Sequence, residues 1–273
     1  MRRLVPALVL NGLLVVIALL TLAPLLWMVS ASFMPAGQAN NFPPPLLPHG
    51  ATLANYIQLF TRLNLARAFG NSLFVAVLAT LISLLTNSLA GYAFAKLHFR
   101  GRDRTFQLLL AALVIPGQVS MLPLFLLLKS MGLVNTMAGV VVPFMATIFG
   151  IFMVRQYALG IPDELLDAAR VDGASELRIF TTIVLPVLKP ILATLAVFTF
   201  LSAWNDFMWP LIVLTDDARY TLPVALANLS GEHVQDTELM MAGAVLTVLP
   251  VLAVFLVLQR AYMRGVLMGS VKG

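Results

Sequence analysis

Residues 161–190 read IPDELLDAARVDGASELRIFTTIVLPVLKP, and the reading of the whole chain turns on them. The first half of the segment is polar and acidic, and the second half runs into a long apolar stretch. Pro162 and Asp163 are residue types that start helices. Glu164 to Val171 then favours a helix, and Gly173 can take the left-handed conformation that ends one. Ser175 can cap a second helix, expected to run to Leu185, with Pro186 opening the next apolar stretch. The segment is therefore expected to be two short helices joined by a tight turn.

Outward from this segment the chain is apolar. Of its 273 residues 60% are hydrophobic and only 11% are charged, against roughly 45–50% and about 25% in an ordinary soluble domain. A soluble protein of this size must cover itself with polar groups, and a bilayer removes that demand. A membrane helix needs about 20 mostly apolar residues, and six stretches qualify: Leu4–Phe33, Ser72–Ala95, Phe106–Leu128, Ala138–Met153, Val187–Leu214 and Leu239–Leu258. The first and fifth exceed one span, so each is expected to tilt, break or run past the membrane. Pro24, Pro116, Pro143 and Pro250 lie in or near spans, where kinks are expected. Arg2 and Arg3 precede the first stretch as in a signal peptide, but its apolar run is too long for one and no small-residue cleavage pattern follows.

The net charge of +5 is read as topology control rather than nucleic-acid binding. With the N-terminus inside, Arg2, Arg3, Lys96, Arg100, Arg102, Arg104, Arg155, Arg170, Arg178, Lys189, Arg260, Arg264 and Lys272 face the cytoplasm. Arg62, Arg67, Lys129 and Arg219 face outward. The positive-inside rule then puts both termini in the cytoplasm. Two long outer loops follow: Met34–Arg67, with a proline cluster and an amphipathic piece near Leu53–Phe60, and the polar, acidic Thr215–Glu238.

Enzymatic chemistry finds no foothold. Cysteine is absent and the three histidines show no ligand spacing, so no metal site is expected. No phosphate-binding G-x-x-x-x-G-K-[ST] loop, G-x-S-x-G or H-E-x-x-H occurs, and no catalytic residue is expected. Polar residues within spans are functional candidates by default. Here they are Asn87, Gln118, Asn205 and Asp206, weighed as a possible substrate path against helix–helix hydrogen bonding.

Three readings compete for the 161–190 segment. A DNA-binding helix-turn-helix needs a basic face, whereas Asp163, Glu164, Asp167, Asp172 and Glu176 outnumber Arg170 and Arg178. A passive connector lying on lipid would prefer Lys and Arg on its polar face. A docking element for a soluble partner fits the small side chains of Ala168 and Ala169, which let a surface approach closely. The residues alone leave the last two open.

Spacing brings in a resemblance. Asp167-Ala168-Ala169, three residues, Gly173, nine residues, Ile183, one residue and Leu185-Pro186 resembles the EAA motif of the permease subunits of binding-protein-dependent ABC importers. The one departure is Asp for Glu at the first position, a carboxylate that reaches about one methylene less far. Asn71-Ser72, Ala90-Gly91-Tyr92-Ala93-Phe94-Ala95, Trp204-Asn205-Asp206-Phe207, Trp209-Pro210-Leu211, Thr221-Leu222-Pro223 and the tail Gly269–Gly273 are similar to the carbohydrate branch of that family, of the maltose or glycerol-phosphate type. The resemblance implies an all-α integral membrane fold of six transmembrane helices. Residues 1–70 would form a first helix and outer loop, 71–262 the type I importer transmembrane domain, and 263–273 a cytoplasmic tail. It implies coupling to an ATPase through Glu164, Asp167, Ala168, Ala169, Arg170, Asp172, Gly173, Leu185 and Pro186. The implied partners are a second permease, two ATP-binding subunits that hold ATP and Mg, and an extracytoplasmic solute-binding protein at the bacterial inner membrane. This chain itself would carry no cofactor. An ion-coupled secondary transporter is the alternative; it would need midplane ion ligands and often shows inverted repeats, and neither is apparent.

Overall fold

A computed structural model describes residues 4–62, 64–232 and 236–270, and every regular element among them is helical. In chain order these are α1 (Leu4–Ser32), α2 (Ala54–Arg62), α3 (Leu65–Lys96), α4 (Arg102–Ala112), α5 (Gly117–Ser130), α6 (Met137–Val141), α7 (Ile148–Ala158), α8 (Asp163–Val171), α9 (Glu176–Ile179), α10 (Leu185–Trp204), α11 (Met208–Val213), α12 (Leu222–Glu232) and α13 (Thr237–Ser270). Among the described residues, four continuous helical segments are long and apolar enough to cross a bilayer: Leu10–Ser32, Leu65–Lys96, Glu176–Trp204 and Thr237–Val257. Two bent pairs, α4 with α5 and α6 with α7, bring the number to six if each is one span.

Bends occur at two of the four prolines where kinks are expected, Pro116 and Pro143. The third stretch is not one helix: α4 and α5 differ in direction by 107°. The N–H groups of Leu113, Val114 and Ile115 bond three residues back, to Leu110, Ala111 and Ala112. Pro116 then disfavours continuation of the helix through Ile115. Around Pro143 a 3₁₀ turn, Val142–Phe144, accompanies a milder 42° bend. Pro24 and Pro250 instead lie inside continuous helices, as do Pro123 and Pro190.

The second loop helix does not stop at Leu185 either. It continues from Glu176 to Trp204 through a π turn, Phe180–Val184. There the Leu185 N–H reaches back five residues to Phe180 O. Pro186 has no N–H to offer Thr182, and the wider turn absorbs that loss. The second span begins at Leu65 rather than Ser72, and the supposed loop 215–238 contains α12.

The chain divides into two compact units, Met1–Ala66 with Ala225–Pro250, and Arg67–Val224 with Val251–Gly273. In the first, the proline-rich segment after α1 is stitched down by side chains. Trp27 Nε1 donates to Pro45 O at 3.0 Å, and Asn55 Nδ2 donates to Ser32 O and Met34 O at 2.9 Å each. The buried Glu238 accepts from the Ala39 N–H at 2.6 Å. In the second unit α3 is central. Gly91 lets α7 approach: a Cβ there would lie 2.5 Å from Val154 Cγ1. Lower on the same helix, buried Asn87 donates to Ser83 Oγ at 2.7 Å and accepts from the Thr147 N–H at 3.0 Å, fixing the start of α7.

Candidate functional site

The 161–190 segment packs on one apolar cluster, which includes Tyr92 and Ala95 of α3, Val154 and Ala158 of α7, Leu166 of α8, and Ile179, Phe180, Val184 and Leu188. Burying a side chain such as Leu166 contributes about 1.5–3 kcal/mol. That burial orients α8, a helix of only nine residues that would be marginal alone. Asp163 and Glu164 occupy its first turn, where negative charge is favoured.

The turn between the helices is a Schellman motif. The Ala174 N–H bonds to Ala169 O and the Gly173 N–H to Arg170 O, each at 3.0 Å. Gly173 has φ +80°, with nothing near the place a Cβ would take. Its requirement is therefore conformational and not one of space. Ser175 caps the next helix, accepting from the Arg178 N–H at 3.4 Å.

Charged side chains tie the two helices together. Arg170 donates to Asp167 Oδ1 at 2.6 Å and to Glu176 Oε1 at 2.7 Å, and these two carboxylates raise its pKa. Tyr92 donates its hydroxyl to the other Glu176 oxygen at 2.7 Å. Lys96 donates to Ile161 O and to Asp163 Oδ1, both at 2.6 Å. The Lys96 hydrogen bond, and then its charge, holds Asp163 below the usual carboxylate range.

The opposite face of α8 is open. Leu165, Ala168 and Val171 are exposed at successive helical turns, and Leu177 of α9 is exposed as well. Glu164, Asp167 and Asp172 flank it. Ala169 is different: it is half-buried and packs on the cluster beneath. The two alanines expected to face a partner together therefore divide, Ala168 outward and Ala169 inward. Leu185 and Pro186 lie beyond the π turn, at the start of α10.

The second group of candidates is not brought together. Asn87 is fully buried and bonded to Ser83 and Thr147. Gln118 is exposed on α5. Asn205 follows α10 and donates to Leu201 O at 2.9 Å. Half-buried Asp206 accepts from the Trp209 N–H at 3.4 Å, and Trp209 Nε1 reaches Gly139 O at 3.0 Å.

Sequence reasoning passed over Tyr92, Lys96 and Glu176 as members of the loop site. A signal was present: Gly91, Tyr92, Ala95 and Lys96 fall at i, i+1, i+4 and i+5, one face of the last turns of a span.

The family model of binding-protein-dependent transport system inner membrane components matches residues 87–267. The chain belongs to this family. This inner membrane component is 40% identical over 260 residues to the arabinooligosaccharides transport system permease protein AraQ of Halalkalibacterium halodurans, covering 94% of this chain and 93% of that one. It is 34% identical over 273 residues to the lactose transport system permease protein LacG of Rhizobium radiobacter, covering 100% and 98%. Its fold is that of a chain in the crystal structure of a bacterial ABC transporter involved in the import of the acidic polysaccharide alginate. There the TM-score is 0.83 at 24% identity, over 94% of this chain and 96% of that one.

Proposed function

We propose that this inner membrane component is one of two permease subunits of an ATP-driven ABC importer for a sugar, and that residues 161–186 dock its ATPase subunit. The observation that carries the docking role is the two-sided character of α8. One face is buried and clamped by ion pairs, while the other presents Leu165, Ala168 and Val171 uncovered. An apolar stripe held rigidly outside the spans asks for a protein surface to cover it. The acidic residues flanking it would set register against a basic partner.

Family and relatives support the rest of the reading. The chain is a transport component and not an enzyme. Hydrolysis of ATP, with its Mg, belongs to two separate subunits. A second permease completes the path, and an extracytoplasmic binding protein delivers the cargo. Relatives named for arabinooligosaccharides and lactose support a mono- or oligosaccharide cargo. The excess of Lys and Arg on one side supports cytoplasmic termini and a cytoplasmic 161–186 loop. Gln118, Asn205 and Asp206 are proposed to line the path, with Asn87 beside it. The resemblance also implies that the tail Gly269–Gly273 reaches the ATPase dimer interface; residues 271–273 of it lie outside the described residues.

Affinity purification of the tagged chain from its host, followed by reconstitution, tests the reading. An ATP-binding subunit, a second permease and uptake of labelled oligosaccharide that needs both ATP and the binding protein are expected. Uptake that persists without ATP and collapses with an ion gradient would contradict it.

A further inference from the structure

We propose that Lys96 is the positioning residue that fixes the 161–186 loop to α3, so that loop and span move as one body. The proposal rests on the reading of that loop as the ATPase dock.

Lys96 is the last residue of α3, and its side chain is 4% exposed, whereas its partner Asp163 is 75% exposed. A lysine that merely balanced a surface carboxylate would keep its ammonium in water. Here the cation is the buried member, and it reaches two acceptors at 2.6 Å, Ile161 O and Asp163 Oδ1. Those acceptors flank Pro162, which has no N–H of its own to anchor the backbone. The ammonium therefore grips the chain at the point where the direction of α8 is set. One turn earlier on α3, the Tyr92 hydroxyl holds Glu176 at the start of α9. Each half of the loop thus has its own tether to the same helix. Close packing of Gly91 on Val154 locks α7 to that helix as well.

The far end of α3 is bonded just as directly. Asn71 Nδ2 donates to Ala218 O and Tyr220 O at 3.0 Å each, and Ser72 Oγ accepts from the Leu222 N–H at 2.7 Å. Ser72 and Lys96 are about 36 Å apart along a helix rising 1.5 Å per residue. One continuous helix therefore grips the dock at one end and residues 218–222 at the other. Displacement of α8 is delivered to that far segment through Lys96.

The test uses the full complex in proteoliposomes with the binding protein present, and compares Lys96→Met with Lys96→Arg. Two quantities are read at equal amounts of assembled complex. One is cross-linking of an Ala168→Cys variant to the ATPase subunit. The other is the ratio of ATP hydrolysis with and without sugar-loaded binding protein. Lys96→Met is expected to keep the cross-link and lower the ratio at least fivefold, and Lys96→Arg to restore most of it. An unchanged ratio in Lys96→Met overturns the proposal. Should Lys96→Met fail to assemble, Asp163→Ala removes one of the two acceptors and leaves Ile161 O. It is expected to lower the ratio two- to threefold, and an unchanged ratio again overturns the proposal. Absence of the cross-link in the otherwise unaltered chain refutes the dock itself, and this proposal with it.

Discussion

At its C-terminal end α3 meets its neighbours through charge: Lys96 to Asp163, and Tyr92 to Glu176 and on to Arg170 and Asp167. At its N-terminal end it meets residues 218–222 through a neutral amide and a hydroxyl bonded to backbone. Nearby, Asn135 Oδ1 accepts the N–H groups of Thr215 and Asp216, and a half-exposed Arg219–Asp216 pair at 3.6 Å lies on the same segment. The charged end leaves an apolar stripe uncovered on α8, and the neutral end buries its own apolar residues, Leu222 and Val224. Amide and hydroxyl bonds to backbone fix a shape whatever lies outside. An ion-paired platform with an open apolar face is made to meet something else. On the proposed reading the difference separates a closed structural cap from a docking platform, and substitutions at the two ends should fail in different ways.

The largest effect is expected from Gly173→Val. A β-branched residue at φ +80° is a strained outlier, with a left-handed penalty of roughly 1–2 kcal/mol. The Schellman turn would reshape and re-aim α9 against α8. Uptake of labelled sugar should fall more than tenfold while membrane insertion, followed by immunoblot, stays normal. Full uptake would mean that the loop is a connector.

Ala168→Arg comes next. It adds bulk and charge to the exposed stripe without touching the cluster beneath. Retention of the ATPase subunit on washed membranes should fall several-fold, with the thermal stability of the purified permease pair unchanged. Ala169→Leu should also abolish coupling, but by lifting α8 off the apolar cluster beneath it, so its melting temperature should drop. Equal melting behaviour of the two variants would erase the inward–outward distinction.

At the other end, Asn135→Ala leaves two N–H groups without their acceptor. Unsatisfied and buried, such a group costs about 1–3 kcal/mol; exposure of this site to solvent puts the loss at the lower end. Lower melting temperature with an unchanged response to loaded binding protein is the expected pairing. A lost response at normal stability would make this end part of the coupling machinery too.

The smallest effect belongs to Asp167→Asn. Its pair with Arg170 is largely exposed, and such pairs contribute about 0–1 kcal/mol. Arg170 keeps Glu176, so uptake should stay within about twofold of the parent.

Much of this was legible in the sequence. Apolar run length gave the spans, because a bilayer demands about 20 apolar residues whatever the tertiary fold. Caps and turn chemistry gave the loop: Pro162 and Asp163 begin α8, Gly173 takes positive φ, and Ser175 caps α9. These are local rules, decided within a few residues. What escaped was long-range. Lys96 looked like an ordinary span-end cation, and its partners lie 65 and 67 residues away. The division between Ala168 and Ala169 depends on which face of α8 meets Leu166's cluster, and two adjacent alanines carry no periodicity to decide it. The kink at Pro116 was expected but not its size of 107°, because proline in a membrane span can either bend a helix or stop it; the helix hidden in 215–238 was missed because polar, acidic composition masked the apolar run of α12.

The most direct test of the central claim places a single cysteine at Val171, the most exposed large hydrophobic residue of α8, in a chain that has no native cysteine. A short thiol-directed photo-cross-linker on it is activated in membranes containing the whole importer. An adduct with the ATP-binding subunit, together with protection of the same cysteine from a membrane-impermeant thiol reagent in intact cells, is the predicted result. Labelling of that cysteine from outside, or active transport with no such adduct, would contradict the account.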